Sequence, residues 1–191
     1  MYFCIAGILE NEAQNVIRER FLLINQKYDI GVTSVLLPQH ISLKITFKTE
    51  EVELLKNYFD AFADSLKKIE IQFTHMELIK LTEGNSETGI LWYRVMENKE
   101  LRNIHNRLND DLSQLLGITN SRFDGNQFMF HSTICYGKKT FDEYKVIHEK
   151  EKDSFKEYEA KLLEIGLFAC HDDAGSAGTF YTYRLKNLTI G

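Results

Sequence analysis

Two short segments of the chain carry the same pattern of residues. Residues 38–45 read PQHISLKI, and residues 128–136 read FMFHSTICY. In each segment a histidine is followed two positions later by a hydroxyl residue, within an alternation that predicts a β-strand. Side chains two positions apart on a strand point to the same face. Each histidine is therefore predicted to share its face with a hydroxyl group, His40 with Ser42 and His131 with Thr133.

The elements before the two segments recur in the same order. A buried strand at 2–9 and a helix at 11–28 precede His40, and a strand at 90–96 and a helix at 98–116 precede His131. Asn11 is a plausible N-cap for the first helix. The remaining pattern predicts helices at 50–66 and 140–158, the second opened by a capping box at Thr140 and Glu143, and strands at 69–81, 161–170 and 179–190.

The repetition predicts an α+β fold in one domain, residues 1–191, with two similar lobes. Mostly antiparallel sheets would face each other across a central cleft, with the helices outside and a break between the lobes at the polar turn 83–89. The chain lacks the regular alternation of helices with short, fully apolar strands that a doubly wound parallel fold shows. The loop at 171–178, HDDAGSAG, is predicted to be flexible and able to cover a site.

Composition excludes several classes of protein. The chain has 191 residues, of which 43% are hydrophobic and 27% charged, so it is not disordered. No apolar run reaches the roughly 18 residues that span a bilayer, and we expect no membrane association. The net charge of −5 argues against an extended nucleic-acid footprint. The three cysteines include no CxxC pair, which indicates a reduced, cytoplasmic setting. Separately, we expect the protein to be a monomer.

Two histidines that face each other, each beside a hydroxyl, form an acid–base pair. A neutral imidazole removes a proton from a hydroxyl or water, and a protonated imidazole gives one to the leaving oxygen. An unperturbed pKa of about 6.5 lets both protonation states exist near neutral pH. Ser42 and Thr133 would donate hydrogen bonds to phosphoryl oxygens. This chemistry requires neither a cofactor nor a metal, and the adjacent residues His171, Asp172 and Asp173 do not have the spacing of a closed metal site.

The two segments resemble the signature strands of the 2H phosphoesterase superfamily, which is named for its two HxS/T motifs. The resemblance covers nearly the whole chain and is greatest to the bacterial 2′-5′ RNA ligase and cyclic phosphodiesterase group. It implies a bilobal fold and metal-independent opening of a 2′,3′-cyclic phosphate, or breakage and joining of 2′-5′ linkages, at His40, Ser42, His131 and Thr133. The implied substrate is an RNA end or a small nucleotide with a phosphodiester.

Three further residues are candidates for substrate binding. Lys44 has the strand parity of His40 and is the expected phosphate-binding cation. Tyr136 and Lys138 follow the second motif, where parity directs them to the face opposite His131 unless a bulge intervenes. Tyr136 could stack on a base or cap the phosphate. The aromatic residues Trp92, Phe128 and Phe130 are expected in the core, or in one case in a base-binding wall.

Two alternatives remain open at this stage. The chain departs from the family pattern at Ser132, where an apolar residue is usual, and at Tyr136, where the RNA ligase group tends to have arginine. These departures suggest a non-catalytic nucleotide- or RNA-binding module of the same fold. The other alternative is a Cys–His hydrolase, because strand parity places Cys135 on the face of His131 and Thr133.

Overall fold

The computed structural model of the chain describes residues 1–83, 86–121, 123–171 and 180–189. Within these residues the chain forms four α-helices and seven β-strands. In chain order they are β1 (Tyr2–Leu9), α1 (Asn11–Tyr28), β2 (His40–Lys48), α2 (Val52–Asp64), β3 (Ile69–Glu83), β4 (Ser86–Val95), α3 (Lys99–Leu116), β5 (His131–Thr140), α4 (Phe141–Glu151), β6 (Tyr158–Cys170) and β7 (Tyr181–Asn187).

The order of elements is a repeat of five followed by one further strand. The first repeat is β1-α1-β2-α2-β3, the second is β4-α3-β5-α4-β6, and β7 follows. The strands form one antiparallel sheet in the order β2-β1-β6-β3-β4-β5, with β7 on β6. The predicted α+β class and the antiparallel pairing are confirmed. The two lobes are halves of this single sheet.

The last strand of each repeat joins the lobes by pairing with the other repeat. Residues 69–73 of β3 pair with residues 158–162 of β6. Beyond this paired segment, β3 continues along β4 and β6 continues along β1. Each lobe is thus completed by a strand that lies at the centre of the whole sheet.

The alternation of side chains in β1 separates two faces of the sheet. Phe3 and Ile5 belong to the large core that also holds the apolar sides of the four helices. Cys4, Ala6 and Ile8 form a second cluster with Phe168 on the opposite face. We call this opposite side, which continues over both lobes, the cleft face.

Most elements match the sequence prediction to within a few residues, and three features differ from it. The N-cap of α1 is Glu10, and Asn11 is the first helical residue. The predicted capping box at Thr140 is confirmed, but α4 ends at Glu151, because the ring of Phe155 packs on Tyr93 and the chain turns into β6. The turn predicted at 83–89 is shorter, since β3 reaches residue 83 and β4 begins at residue 86. Most of the predicted covering loop at 171–178 lies outside the described residues.

No helix among the described residues is both long enough and apolar enough to cross a bilayer.

A buried carboxylate joins the end of α4 to α1. Glu151 is 93% buried, and its two oxygens accept hydrogen bonds from Arg20 at 2.8 Å, Lys27 at 2.8 Å and Tyr28 at 2.9 Å. Burial alone would raise the pKa of Glu151, but these three donors outweigh it and lower the pKa from 4.5 to about 2. The carboxylate therefore stabilises the fold most in its charged form.

The Glu151 cluster predicts a stability loss that depends on pH. Because the pKa of Glu151 is lower in the folded than in the unfolded state, its contribution is present above pH 4.5 and declines as the pH falls toward 2. Glu151→Gln should therefore lower the free energy of unfolding by about 2 kcal/mol at pH 7 and by much less near pH 2.5. Urea unfolding at both pH values measures this. Glu149→Gln, at an exposed pair with Lys152, should have little effect, and an equal loss at both pH values for Glu151→Gln would contradict the assignment.

Candidate active site

His40 is the first residue of β2 and faces the cleft side of the first lobe. It lies opposite Ile8 of β1, and Ser42 lies opposite Ala6. Both Ile8 and Ala6 belong to the cleft-face cluster. The predicted sharing of one face by His40 and Ser42 is therefore observed.

His131 has the equivalent position in the second lobe. It is the first residue of β5, it lies opposite Arg94 of β4, and Thr133 lies opposite Trp92. Since β4 and β5 repeat β1 and β2 in the element order, the two histidines are related by the duplication of the fold. The two HxS/T motifs are thus the same structural feature, present once in each lobe.

Backbone carbonyl groups hold both imidazoles in the same way. Nδ1 of His40 lies 2.8 Å from the carbonyl oxygen of Pro38, and Nδ1 of His131 lies 2.7 Å from that of Met129. A carbonyl oxygen only accepts, so Nδ1 carries the hydrogen in each ring. Nε2 of each neutral imidazole then has a free lone pair, which is the form that a general base requires.

An aromatic ring supports each imidazole, with a different geometry in the two lobes. Phe168 contacts His40 edge-on, with ring centroids 4.9 Å apart. Trp92 stacks on His131, with centroids 3.8 Å apart and an angle of 24° between the ring planes. The indole Nε1 donates to Glu77 Oε2 at 2.7 Å, which fixes the Trp92 ring. Trp92 is buried as predicted, but it lies on the cleft face against His131.

The environment lowers the pKa of both histidines. Burial lowers the pKa of His40, although the Pro38 carbonyl opposes this effect. Burial, together with the charges of His40 and Arg94, lowers the pKa of His131 to about 4, against the opposing effect of the Met129 carbonyl. The strands that carry the two motifs, β2 and β5, also approach each other closely. The structure therefore brings the two motifs together.

A β-bulge follows each motif at the same place. Ala6 pairs with Ser42 and Ile5 with Lys44, so Leu43 is an extra residue in β2. In β5 the extra residue is Ile134, because Trp92 pairs with Thr133 and Leu91 with Cys135. A bulge of one residue reverses the alternation of side chains beyond it. Predictions from strand parity therefore fail after Ser42 and after Thr133.

The bulge turns Lys44 away from the cleft face, and the prediction that Lys44 binds phosphate there is wrong. Its side chain is only 1% exposed, and its ammonium group lies 2.7 Å from the buried carboxylate of Asp124. The same ammonium donates to the side-chain oxygens of Asn109 and Asn120. Because an ammonium group has three donors, this ion pair and these two amides satisfy it fully.

The second bulge moves Cys135 off the face of His131. Cys135 is 1% exposed and part of the helix-side core, and burial raises the pKa of its thiol to about 12. The thiolate that a Cys–His hydrolase needs is therefore strongly disfavoured, and the prediction of shared faces is wrong. Ser132, the unusual residue of the motif, is also buried away from the cleft face.

The same bulge returns Tyr136 to the cleft face, where it lies half-buried opposite Ile90. Burial raises the pKa of its phenol, so Tyr136 stays protonated and able to donate a hydrogen bond. Lys138 instead forms an exposed ion pair, with Nζ 2.6 Å from Oδ1 of Asp29. Lys138 thereby joins β5 to the end of α1.

Sequence reasoning missed Arg94 and Glu77. Arg94 lies opposite His131, is 30% exposed, and has a guanidinium nitrogen 3.6 Å from the Glu77 carboxylate. It is the cation on the cleft face whose charge acts on His131. The signal was present in the sequence, because Arg94 and Trp92 have the same strand parity and precede the second motif as Ile8 and Ala6 precede the first.

The chain has a duplicated sheet with a histidine at the start of the second strand of each repeat, and solved structures share its fold. Comparison with known sequences gives no match, either to a family model or to a curated protein. Solved structures do match over nearly their full length. TT0787 of Thermus thermophilus aligns with a TM-score of 0.60 at 10% identity, over 100% of this chain and 99% of that one.

Two further structures of similar fold contain nucleotides. E. coli LigT complexed with 3′-AMP aligns with a TM-score of 0.51 at 13% identity, over 98% of this chain and 97% of that one. Kluyveromyces marxianus Usb1 with uridine monophosphate aligns with a TM-score of 0.52 at 10% identity, over 99% and 98%. At these identities the likeness concerns the fold.

The proximity of the two imidazoles predicts coupled titration. By NMR, His131 should titrate near pH 4, and His40→Gln should raise its pKa, because the variant removes a neighbouring positive charge. His148→Gln is the matched control, since His148 lies on α4 and contacts the Met76 carbonyl. A His131 pKa that is the same in the parent and in His40→Gln would show that the rings do not interact.

Proposed function

We propose that the chain is a metal-independent phosphodiesterase that opens the 2′,3′-cyclic phosphate of an RNA end or a small nucleotide to a 2′-phosphate. The observation that carries this proposal is the equivalent pair of histidines on the cleft face. Each ring is oriented through Nδ1 by a backbone carbonyl, has a free Nε2 and lies beside a hydroxyl residue. Such a pair supplies both proton transfers of an in-line displacement at phosphorus without a metal.

In the proposed reaction one imidazole acts as base and the other as acid. Nε2 of the neutral histidine removes a proton from water while the water oxygen forms a bond to phosphorus. The bond from phosphorus to the 3′-oxygen breaks, and the protonated histidine gives its proton to that oxygen. The product has a 2′-phosphate and a free 3′-hydroxyl, and the two histidines have exchanged protonation states. With an RNA 5′-hydroxyl in place of water as the nucleophile, the same pair would join ends through a 2′-5′ linkage, and the reverse of that step would break the linkage.

We assign the base to His131 and the acid to His40. Arg94 lies opposite His131, and its positive charge disfavours the imidazolium form there. His40 is opposite the apolar Ile8, so that the equivalent position carries no cation. The two rings thus differ in their surroundings, and the charge of Arg94 disfavours a proton on His131, as the assignment requires.

Four other side chains would contact the phosphate or the nucleobase of the substrate. The hydroxyls of Ser42 and Thr133 share the faces of the two histidines and would donate to the non-bridging oxygens, where negative charge increases. Arg94 would supply the cation that Lys44 cannot. Tyr136 would cap the phosphate or stack on a base. The nucleotides in the LigT and Usb1 structures support a ligand of nucleotide size for this fold.

Turnover of 2′,3′-cyclic nucleotides, and of an RNA oligomer ending in 2′,3′-cyclic phosphate, tests the reaction. In EDTA both should yield 2′-phosphate, and His40→Ala and His131→Ala should each lower kcat at least about 100-fold. The pH dependence of kcat/KM should be bell-shaped, with both limbs at or below the ordinary histidine pKa, because the environment lowers both pKa values.

The matched control is His148→Ala, which removes a histidine from the helix side of the sheet and should retain full activity. Activity that is lost in EDTA and restored by zinc would refute the mechanism. Nucleotide binding without turnover, unaffected by His40→Ala and His131→Ala, would instead establish the non-catalytic module.

The role of Arg94 is tested by its replacement. Arg94→Gln should lower kcat/KM by about 10- to 100-fold, since a charge-assisted hydrogen bond to the phosphate is lost. Arg94→Lys should recover part of this loss because it keeps the charge. Arg107→Gln, on the exposed surface of α3, is the control and should match the parent. Full activity in Arg94→Gln would mean that phosphate binding does not depend on this cation.

A further inference from the structure

A cavity lies away from the two histidines, between α1 and the start of β6. Its volume is about 460 Å³, which is within the range of small-molecule sites. One wall is α1, with Ala13, Val16 and Leu23, and the other is residues 154–159. Neither histidine motif contributes a residue to its lining.

Three aromatic residues, Tyr93, Phe155 and Tyr158, lie at the floor of this cavity. Tyr93 and Phe155 have ring centroids 4.6 Å apart, and those of Phe155 and Tyr158 are 6.0 Å apart. Tyr93 is 98% buried, and its hydroxyl has no hydrogen-bond partner among the described residues. The buried hydroxyl of Tyr158 also has none. Buried polar groups normally have partners, so the Tyr93 hydroxyl, on a residue that lines the cavity, is available to a polar ligand.

The rim of the cavity is strongly acidic. Five carboxylates line it, and within the described part of the chain none of them belongs to an ion pair: Glu10, Glu12, Glu19, Glu157 and Glu159. Two cations share the lining. Arg20 is already paired with Glu151 at 2.8 Å, which leaves Lys156 as the counter-charge. Glu10 accepts from the backbone N–H of Lys161 and Glu157 from the Gln72 amide, and both contacts leave the charges uncompensated.

The spacing of the acidic groups selects the shape of a cationic ligand. Glu12 and Glu19 are seven residues apart on α1, which is two turns, or about 10 Å. Between them lies Val16, which is 47% exposed, and Leu23 one turn beyond is 51% exposed. Carboxylates separated by an apolar surface complement a molecule whose charges are separated by methylene groups. An ammonium group over the aromatic floor also gains cation–π energy.

We propose that this cavity binds a linear aliphatic polyamine. Its ammonium groups pair with the carboxylates of α1 and of residues 157–159, its methylene chain covers Val16 and Phe155, and an ammonium group donates to the Tyr93 hydroxyl. The site is independent of the proposed phosphodiesterase reaction.

Isothermal titration with spermidine tests the proposal on the full chain. We expect saturable 1:1 binding that persists in millimolar Mg²⁺. Glu12→Gln combined with Glu19→Gln should weaken it at least about tenfold, because two pairing charges are lost. Val16→Trp, which fills the cavity without changing charge, should weaken it similarly. Glu50→Gln combined with Glu51→Gln, on exposed residues before α2, is the charge-matched control and should bind as the parent does.

Several results would overturn the proposal. They are an absence of binding, complete displacement by Mg²⁺, or equal binding by the parent and all variants, which indicates diffuse attraction to an acidic protein. Binding of a lysine-rich peptide but not of spermidine would show instead that the cavity receives a basic side chain of a partner protein. The cavity variants lie on an exposed helix surface, and circular dichroism will confirm that they fold.

Discussion

The pairing of residues 69–73 of β3 with residues 158–162 of β6 is the contact on which the site depends. Each repeat places its histidine on its second strand, but its third strand lies in the other lobe. The two lobes can therefore not separate or rotate freely without breaking the centre of the sheet. Backbone hydrogen bonds between strands fix the relative position of the two lobes more rigidly than side-chain packing between two separate domains would. Acid and base in the proposed reaction are held relative to each other by the sheet itself.

The sequence allowed the prediction of the elements and of the two motifs, because both follow from local patterns. Periodicity located β1 to the residue, and the repeated order located the histidine pair. The prediction of side-chain direction failed at the β-bulge in each lobe. Neither Leu43 nor Ile134 is a glycine or otherwise marks an irregular strand, so strict alternation was the reasonable expectation, and it misplaced Lys44 and Cys135. The duplication would have allowed one bulge to be predicted only if the other bulge had already been known.

The pairing of β3 with β6 was also not predictable from the sequence, and the reason is different. Strand pairing between residues about 90 positions apart depends on which edges the helices leave free, and nothing local encodes it. The partners of Lys44 show the same limit. Asn109 belongs to α3 of the second repeat, and Asp124 to the loop after it, so a lysine of one lobe is neutralised by the other. In the sequence, Lys44 cannot be distinguished from any other lysine near a motif.

The two lobes match in backbone and differ in side chains, and this difference carries the proposed division of roles. In the first lobe the positions next to Ser42 are Ala6 and Gly166, which are small and apolar. In the second lobe the corresponding positions are Trp92 and Glu77, hydrogen-bonded to each other and close to Arg94. Identical surroundings would give two histidines of equal proton affinity, and neither would be the better base. A duplicated fold supplies the paired geometry, and divergence at positions facing the cleft separates the acid from the base.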